Sequence, residues 1–513
     1  MKTKLLILAT FILIFGSCKN KQEQAASVET ATYDETWESL ATNNKEPEWF
    51  KDAKFGIYFH WGVYSVPAFN NEWYPRWMYY PNRGDIWGGG VYEHHKNTYG
   101  SDFDYHDFIP MFKAEHFDAK EWAALFKKTG AKFAGPVAQH HDGFAMWGSK
   151  VNPWNANVMG PEKDILGDLF KELKTLDLKT IATFHHAKLG QRYANDSTNW
   201  IGKGLKVSPN SHFPYHPDLV TSTTDPKLRL LYGNLEEEEF NSYWLDQVKE
   251  VVDSYAPDII WFDSWLDQIP ENYRQKMVAH HFNSGTKNKQ EPIVAYKQKD
   301  LPTNVGVLDI EQGGKTEISE DYWLTDITLS NRSWSYIKGQ TYKAPDLVIR
   351  NMIDVWSKKG IVLLNISPRA DGIINDEQRE VLAAIGVWID KHKEAVYGTR
   401  THTVYGYGVA AFEKGHFGGQ SATIKYSNLD YRFTTSKDKK TLYIYALGLP
   451  EANTKLPIKH VGDIGHSQSV KKVSVVGSGT ELEWAVNTDQ LVIQTPEAAA
   501  MDNIATVFKV EFE

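Results

Sequence analysis

Cysteine is almost missing: Cys18 is the single one among 513 residues, so no intrachain disulfide can form and a disulfide-stapled secreted fold is excluded. An excess of positive charge is missing too. Lysine and arginine number 56 against 65 acidic residues, a formal charge of −9, which leaves no basic face for nucleic acid. No apolar stretch reaches the roughly 20 residues that a membrane-spanning helix needs; one candidate, Leu5 to Phe15, is only about half that length. No Gly-rich phosphate loop follows a strand, there is no His-Glu-x-x-His zinc helix, and no set of cysteine ligands exists. Internal repeats are absent. What is plentiful is aromatic: 18 Trp, 26 Tyr and 24 Phe make up 13% of the chain. Such rings build either a Trp-rich core or flat walls against sugar faces. With 42% hydrophobic and 24% charged residues, the composition is that of a globular protein and excludes disorder of the whole chain.

The N-terminus carries Lys2 and Lys4, then the apolar run, then Gly16-Ser17-Cys18. This is the layout of a signal peptide ending in small residues. A cysteine just after them resembles a bacterial lipoprotein signal, in which the cysteine is lipidated and becomes the mature N-terminus. Phe15 stands where leucine is usual. The expectation is a signal over 1–18 with Cys18 lipidated, a polar tether over 19–40, and residence on the bacterial cell envelope, as a periplasmic or outer-membrane lipoprotein. The lipid would be the sole membrane contact.

From about residue 41 to 397, short apolar runs alternate with amphipathic ones. Phe55 to Phe59, Lys132 to Ala138, Thr180 to Phe184, Ile259 to Phe262, Ile293 to Tyr296, Val305 to Leu308 and Ile361 to Leu364 read as strands. Glu121 to Lys128, Ile165 to Leu176, Leu235 to Tyr255, Ala344 to Trp356 and Asp376 to His392 read as helices, the first capped by Gly130. Repeated strand–helix alternation implies a parallel sheet. Polar and aromatic clusters follow several different strands, which favours a closed (β/α)8 TIM barrel over an open sheet, because a barrel gathers its site at the strand C-termini. Over 398–513 helical periodicity disappears. Val404 to Phe412, Arg432 to Thr435, Leu442 to Leu447, Val470 to Val476, Leu482 to Ala485 and Leu491 to Thr495 predict a C-terminal antiparallel β-sandwich.

The clusters are His60-Trp61-Gly62 with Glu72-Trp73-Tyr74; His140-His141-Asp142-Gly143-Phe144; Phe184-His185-His186; Trp261-Phe262-Asp263-Ser264-Trp265; Asp309-Ile310-Glu311-Gln312-Gly313-Gly314; and Asn331-Arg332-Ser333-Trp334. A single histidine at a strand end is often structural, and a single aspartate there is often a helix N-cap. Clusters at successive strand ends instead predict one polar, aromatic-walled pocket for a small ligand. Two carboxylates among neutral donors suit glycoside cleavage. Asp263, on a strand end between Trp261 and Trp265, suits the nucleophile. Glu311, on a loop that Gly313-Gly314 makes deformable, suits the acid/base, with Glu317 and Glu320 as rivals. Histidines and Glu72 would bond ring hydroxyls, and Trp73, His185 and Trp334 join the wall. Regular strand alternation would keep His140 and His141 from both facing inward. No catalytic metal and no cofactor are expected.

At these residues the chain resembles glycoside hydrolase family 29, the retaining α-L-fucosidases. The matching stretches are Trp49 to Gly62, Gln139 to Phe144, Trp261 to Asp263, Ser357 to Gly360 with Leu363 to Gly372, and Asp430 to Thr435 with Leu442 to Pro450. The resemblance implies a barrel followed by a β-sandwich, hydrolysis of terminal α-L-fucosides on oligo- or polysaccharides by double displacement, and no cofactor. It implies Asp263 as nucleophile, His60, Glu72, His140 and His141 as sugar ligands, and Trp61 and Trp261 as walls; Glu311 matches the acid/base of one branch. Two segments depart from the pattern. Val294-Ala295-Tyr296-Lys297-Gln298 puts Lys297 where many members have a pocket arginine, and His185-His186 replaces an aromatic-Ser pair. These departures leave open, as substrate alternatives, an α-L-galactosidase and a hydrolase of sulfated fucan or galactan oligosaccharides; a non-catalytic carbohydrate-binding lipoprotein is a separate alternative, against which the presence of both carboxylates argues. The partner in every case is a carbohydrate.

Overall fold

Strand β1 (Phe55–Phe59) has no polar face, and all five of its residues are buried. Only a strand covered on both sides can accept that composition. In the computed structural model, which describes residues 32–81, 83–84, 88–191, 196–199, 211–410, 424–461, 470–487 and 490–513, it is the first stave of a closed parallel barrel. The others are β2 (Phe133–Gln139), β3 (Lys179–Phe184), β4 (Ile259–Phe262), β5 (Ile293–Lys297), β6 (Val307–Asp309), β7 (Trp323–Thr328) and β8 (Gly360–Ile366), joined in sequence order with β8 closing on β1. Inward side chains, among them Tyr58, Phe133, Ile181, Trp261, Leu324 and Leu363, form one buried cluster. Outward ones join the larger core beneath the helices. Gly135 on β2 allows the close approach of β3, since a Cβ there would lie 1.7 Å from the Ile181 carbonyl oxygen.

The helices follow the sequence reading closely. Ala119–Thr129 starts at Asp118, whose side chain accepts from the Glu121 amide, and ends at Gly130 in the left-handed region (φ 96°). Ile165–Thr175, Glu237–Tyr255 and Pro345–Trp356 lie where periodicity places them. Two barrel elements were not anticipated: β7 and the helix Glu271–Lys287. Strand β7 reads Trp-Leu-Thr-Asp-Ile-Thr, and its buried polar residues interrupt the apolar run. The helix buries Tyr273, Met277, Val278, His281 and Phe282, a polar member included, so its two faces are poorly contrasted.

Helix Asp376–Val396 follows β8, and β9 (Arg400–Tyr407) begins the C-terminal region. There β10 (Tyr431–Thr435), β11 (Thr441–Ala446), β12 (Lys455–Lys459), β13 (Val470–Val475), β14 (Trp484–Asn487), β15 (Gln490–Gln494) and β16 (Thr506–Phe512) form two antiparallel sheets, ordered β13-β16-β11-β10-β9 and β12-β15-β14. Strands β12 and β16 were not anticipated. Pro457 argues against a strand, yet β12 is an edge strand, where a proline is tolerated. The expected strand Val404 to Phe412 is β9, beginning earlier; residues 411 and 412 lie outside the described residues.

Barrel and sheets are joined by a buried ion cluster. Asp354, on helix Pro345–Trp356, accepts from Arg432 Nε of β10 at 2.6 Å and from Lys358 Nζ at 2.8 Å. Cys18 and the expected signal lie outside the described residues. The tether expected to reach residue 40 is ordered in its last part: Trp37–Leu40 is a helical turn whose Trp37 Nε1 donates to Glu271 and whose Leu40 is buried. No described helix is long and apolar enough to cross a membrane.

Candidate active site

The C-terminal strand ends surround a cavity of about 410 Å³. It is lined by Asp263, Glu311, Lys297, His60, Glu72, Trp73, His140, His141, His185 and Trp334, all singled out from the sequence, together with Asn71, Trp265, Asp326 and Arg332. Trp61 and Trp261 are not among the lining residues, which corrects their expected place as walls. Trp61 is fully buried against Phe112, Phe117 and Trp122, and its Nε1 donates to the Arg369 carbonyl. Trp261 lies under the floor, donating from Nε1 to Asp309 at 2.8 Å, with its ring 4.9 Å from Lys297 Nζ. Glu317 and Glu320 line a different cavity, around Tyr296, Leu308 and Trp323, and so do not compete with Glu311 for a place here.

Lys297, the last residue of β5, is the hub. Its Nζ lies 2.8 Å from Glu311 Oε2, 3.1 Å from Asp263 Oδ1 and 3.1 Å from Asp326 Oδ2. One ammonium thus keeps the nearest oxygens of Asp263 and Glu311 within about 6 Å of each other. Burial alone would push the ammonium down, but Asp326, Glu311 and Asp263 hold it charged, above the ordinary lysine range. The carboxyls respond differently. Burial raises Asp263, yet Lys297, His185 and His141 outweigh it and hold Asp263 well below the usual carboxylate range. Burial pushes Glu311 up to about 7, with Lys297 opposing and Asp326 and Asp263 adding to the rise. Asp326 is raised well above its ordinary value by burial and by Asp309. Tyr58 Oη donates to its Oδ2 at 2.9 Å, while Oδ1 is buried without a hydrogen-bond partner among the described residues.

The histidine wall is neutral. Burial lowers His60 to about 4 and holds His140 and His185 well below their ordinary range. His60 is oriented by Asn365, whose Oδ1 is 2.8 Å from Nδ1. His140 Nδ1 and His185 Nδ1 are buried with no partner among the described residues, so the wall has hydrogen-bonding capacity that the protein itself does not use. The alternation argument fails for His140 and His141 because β2 ends at Gln139; past that end the backbone turns at Gly143 (φ 80°), and both rings line the cavity. His141 Nε2 lies 3.2 Å from Asp263 Oδ2 but off the hydrogen-bond axis, an electrostatic contact. Glu72 accepts from the Trp334 amide and Ser333 Oγ, and burial raises it to about 7.

His60, His140 and His185 each offer one nitrogen within 4.8 Å of the others, the set among the described residues with a metal-site composition. No cysteine or carboxylate completes that set, and neutral imidazoles suit sugar hydroxyls equally well, since each offers one donor and one acceptor.

The loops bearing the charged groups are fixed rather than loose. Trp265, Gln298 and Gln312 each follow a charged site residue by one or two positions, and each has a left-handed backbone (φ 74°, 59° and 43°). The Glu311 loop is not eased by Gly313 or Gly314, neither of which has positive φ. It is tied to β7: the Gln312 amide donates to the Asp326 carbonyl at 2.8 Å, and Thr325 Oγ1 donates to the carbonyls of Ile310 and Gly313. Asp326 could not be found from sequence, because the strand that carries it was not legible. Asn71 gave no signal beside Glu72. Trp265 and Arg332 stood in the quoted clusters without a role.

Comparison with known proteins agrees with this geometry. The family model for alpha-L-fucosidase matches residues 20–394. Human plasma alpha-L-fucosidase is 26% identical over 484 residues, covering 91% of this chain and 89% of that protein. Mouse tissue alpha-L-fucosidase is 29% identical over 390 residues, covering 74% and 76%. The crystal structure of Thermotoga maritima alpha-fucosidase in complex with fucose superimposes with a TM-score of 0.69 at 27% identity, covering 93% of this chain and all of that one. A barrel with its charged groups at the strand ends, a C-terminal pair of sheets and a family match over most of the length lead to one conclusion: this chain belongs to the alpha-L-fucosidase family and is a glycoside hydrolase.

Proposed function

We propose that the protein is a retaining exo-α-L-fucosidase that removes terminal α-L-fucosyl residues from oligo- or polysaccharides. The observation that carries the reading is the pair Asp263 and Glu311, held by one lysine yet driven to opposite protonation states. A carboxylate well below its usual range is ionised and can attack. A carboxyl near 7 can give and take a proton. In the first step Asp263 attacks C1, a C1–O bond to the enzyme forms, the glycosidic bond breaks, and Glu311 gives its proton to the departing oxygen. In the second step Glu311 takes a proton from water, whose oxygen displaces Asp263 from C1. A carboxyl separation of about 5–5.5 Å marks retaining pairs and about 6.5–9.5 Å inverting ones, and the shared ammonium supports the shorter class. His60, His140, His185 and Glu72 would bond the ring hydroxyls, with Trp73 and Trp334 facing apolar edges. The cavity, small and floored by buried side chains, supports attack at chain ends.

Hydrolysis of nitrophenyl α-L-fucoside with α-L-fucose as the first-formed anomer is the expected result; the β anomer would overturn retention. Asp263→Gly should abolish turnover, and azide should restore it as a fucosyl azide. Faster turnover of the matched α-L-galactoside would shift the substrate assignment. We further propose a lipid anchor at Cys18 on the cell envelope, supported by residues 2–18; Cys18→Ala should release the protein into the soluble fraction, and continued membrane association would refute the anchor.

A further inference from the structure

One charged group in the cavity takes no part in the chemistry above. Arg332 lines the cavity and is exposed, whereas Asp263, Lys297 and Glu311 are almost entirely covered. It therefore marks the mouth, the side on which the leaving group sits once the terminal sugar fills the floor. The other described arginines are engaged, from Arg379 on Glu121 and Arg432 on Asp354 to Arg76 on the His212 carbonyl and Arg83 over the Trp77 ring. The Arg332 side chain has no ion pair, hydrogen bond or ring contact among the described residues. A guanidinium left without a partner beside a ligand cavity is a binding group rather than a structural one.

The backbone beneath it is held firmly. Ser330 Oγ accepts from the amides of Arg332 and Ser333 at 3.2 and 3.0 Å and donates to the Ser333 carbonyl at 2.6 Å. Asn331 bonds Thr341 through both its amide and its side chain. The Trp334 amide donates to Glu72, which lines the same cavity. A fixed main chain presenting a free planar fork lowers the ordering cost of capturing a planar or tetrahedral oxyanion. The anion cannot belong to the terminal sugar's inner face, because the ionised Asp263 would repel it there.

We propose that Arg332 forms an anion-binding subsite at the cavity mouth that recognises an oxyanion substituent, a sulfate ester or a uronic carboxylate, on the sugar residue to which the terminal fucose is attached. This rests on the fucosidase reading and narrows it to acidic glycans. The test uses the full chain and matched α-L-fucosyl disaccharides: a neutral one, its sulfate esters at either position flanking the linkage, and its uronic-acid counterpart. For at least one anionic substrate kcat/KM should exceed that of the neutral one by roughly 10- to 100-fold, the worth of one charge-assisted hydrogen-bond pair, and the preference should shrink as salt is added. Which substrate gains tells sulfate from carboxylate. Arg332→Gln should erase the preference while leaving the neutral disaccharide within about threefold, and Arg332→Lys should restore only part of it, lacking the fork. Equal rates on all substrates in wild-type protein, or an Arg332→Gln variant that slows neutral and anionic substrates alike, would overturn the subsite. Failure to cleave any α-L-fucoside would overturn the fucosidase reading instead, so the two failures are separable.

Discussion

Lys297→Met is the perturbation most directly calculable from the site. The side chain is similar in length and apolar, so packing over Trp261 is largely kept while the charge is lost. Of the three carboxyls around Nζ, Glu311 and Asp326 are raised towards neutrality, which leaves Asp263 as the full negative charge opposite the cation. At 3.1 Å their attraction amounts to about 5 kcal/mol with an effective dielectric constant near 20. Relaxation and water entry would retain about half of that, equivalent to roughly 2 pKa units. Without the cation Asp263 rises from well below the carboxylate range into it, and Glu311 rises above 7. The pH profile of kcat/KM should therefore move to higher pH on both limbs, with a loss of roughly 10²- to 10³-fold at the optimum. The assay is initial-rate hydrolysis of nitrophenyl α-L-fucoside from about pH 3.5 to 9. An acid limb unmoved within half a unit, together with a loss under about threefold, would refute Lys297 as the group that sets the two protonation states.

Three further outcomes follow from the same structure. Glu311→Gln should slow natural disaccharides far more than nitrophenyl fucoside, whose leaving group needs little protonation; it should also be more stable than wild type at pH 8 and not at pH 4, because a carboxyl raised from 4.5 to about 7 by burial costs stability as pH climbs through that window, and equal loss on both substrates would count against the acid/base role. Arg432→Met should lower stability by about 3–5 kcal/mol, the cost of leaving Asp354 short of a buried partner, read by denaturant unfolding; a change below about 1 kcal/mol would show the contact to be dispensable. His281, buried and lowered from 6.5 to about 4, takes its proton in the unfolded chain first, so it costs stability as pH falls below 6.5; His281→Gln should reduce the drop between pH 8 and pH 5 by about 2 kcal/mol, and an unchanged drop would disprove that linkage.

The barrel was legible because its strands and helices obey different periods, and Asp263, Glu311, Lys297 and the histidines were legible because they cluster just past apolar runs. The failures share a physical origin. Strand β7 carries Asp326 and helix Glu271–Lys287 carries His281, each a buried polar group that breaks the apolar pattern by which burial is recognised. Trp61 and Trp261 were misplaced because sequence tells that a tryptophan is near a site but not whether it faces the ligand or braces the floor. The Lys358 and Arg432 motifs stood out without a visible role, and their meaning lies in a contact between residues 78 apart in the chain, Asp354 and Arg432, which no local pattern encodes.

The three left-handed residues, Trp265, Gln298 and Gln312, carry a consequence for inhibitors. Each conformation costs about 1–2 kcal/mol outside glycine and is sustained by the surrounding fold, so the frame around the charged groups is finished before any ligand arrives. A rigid cationic sugar mimic should then dock without reshaping these turns, and amide hydrogen exchange at all three should be as slow in the free enzyme as in the inhibited one.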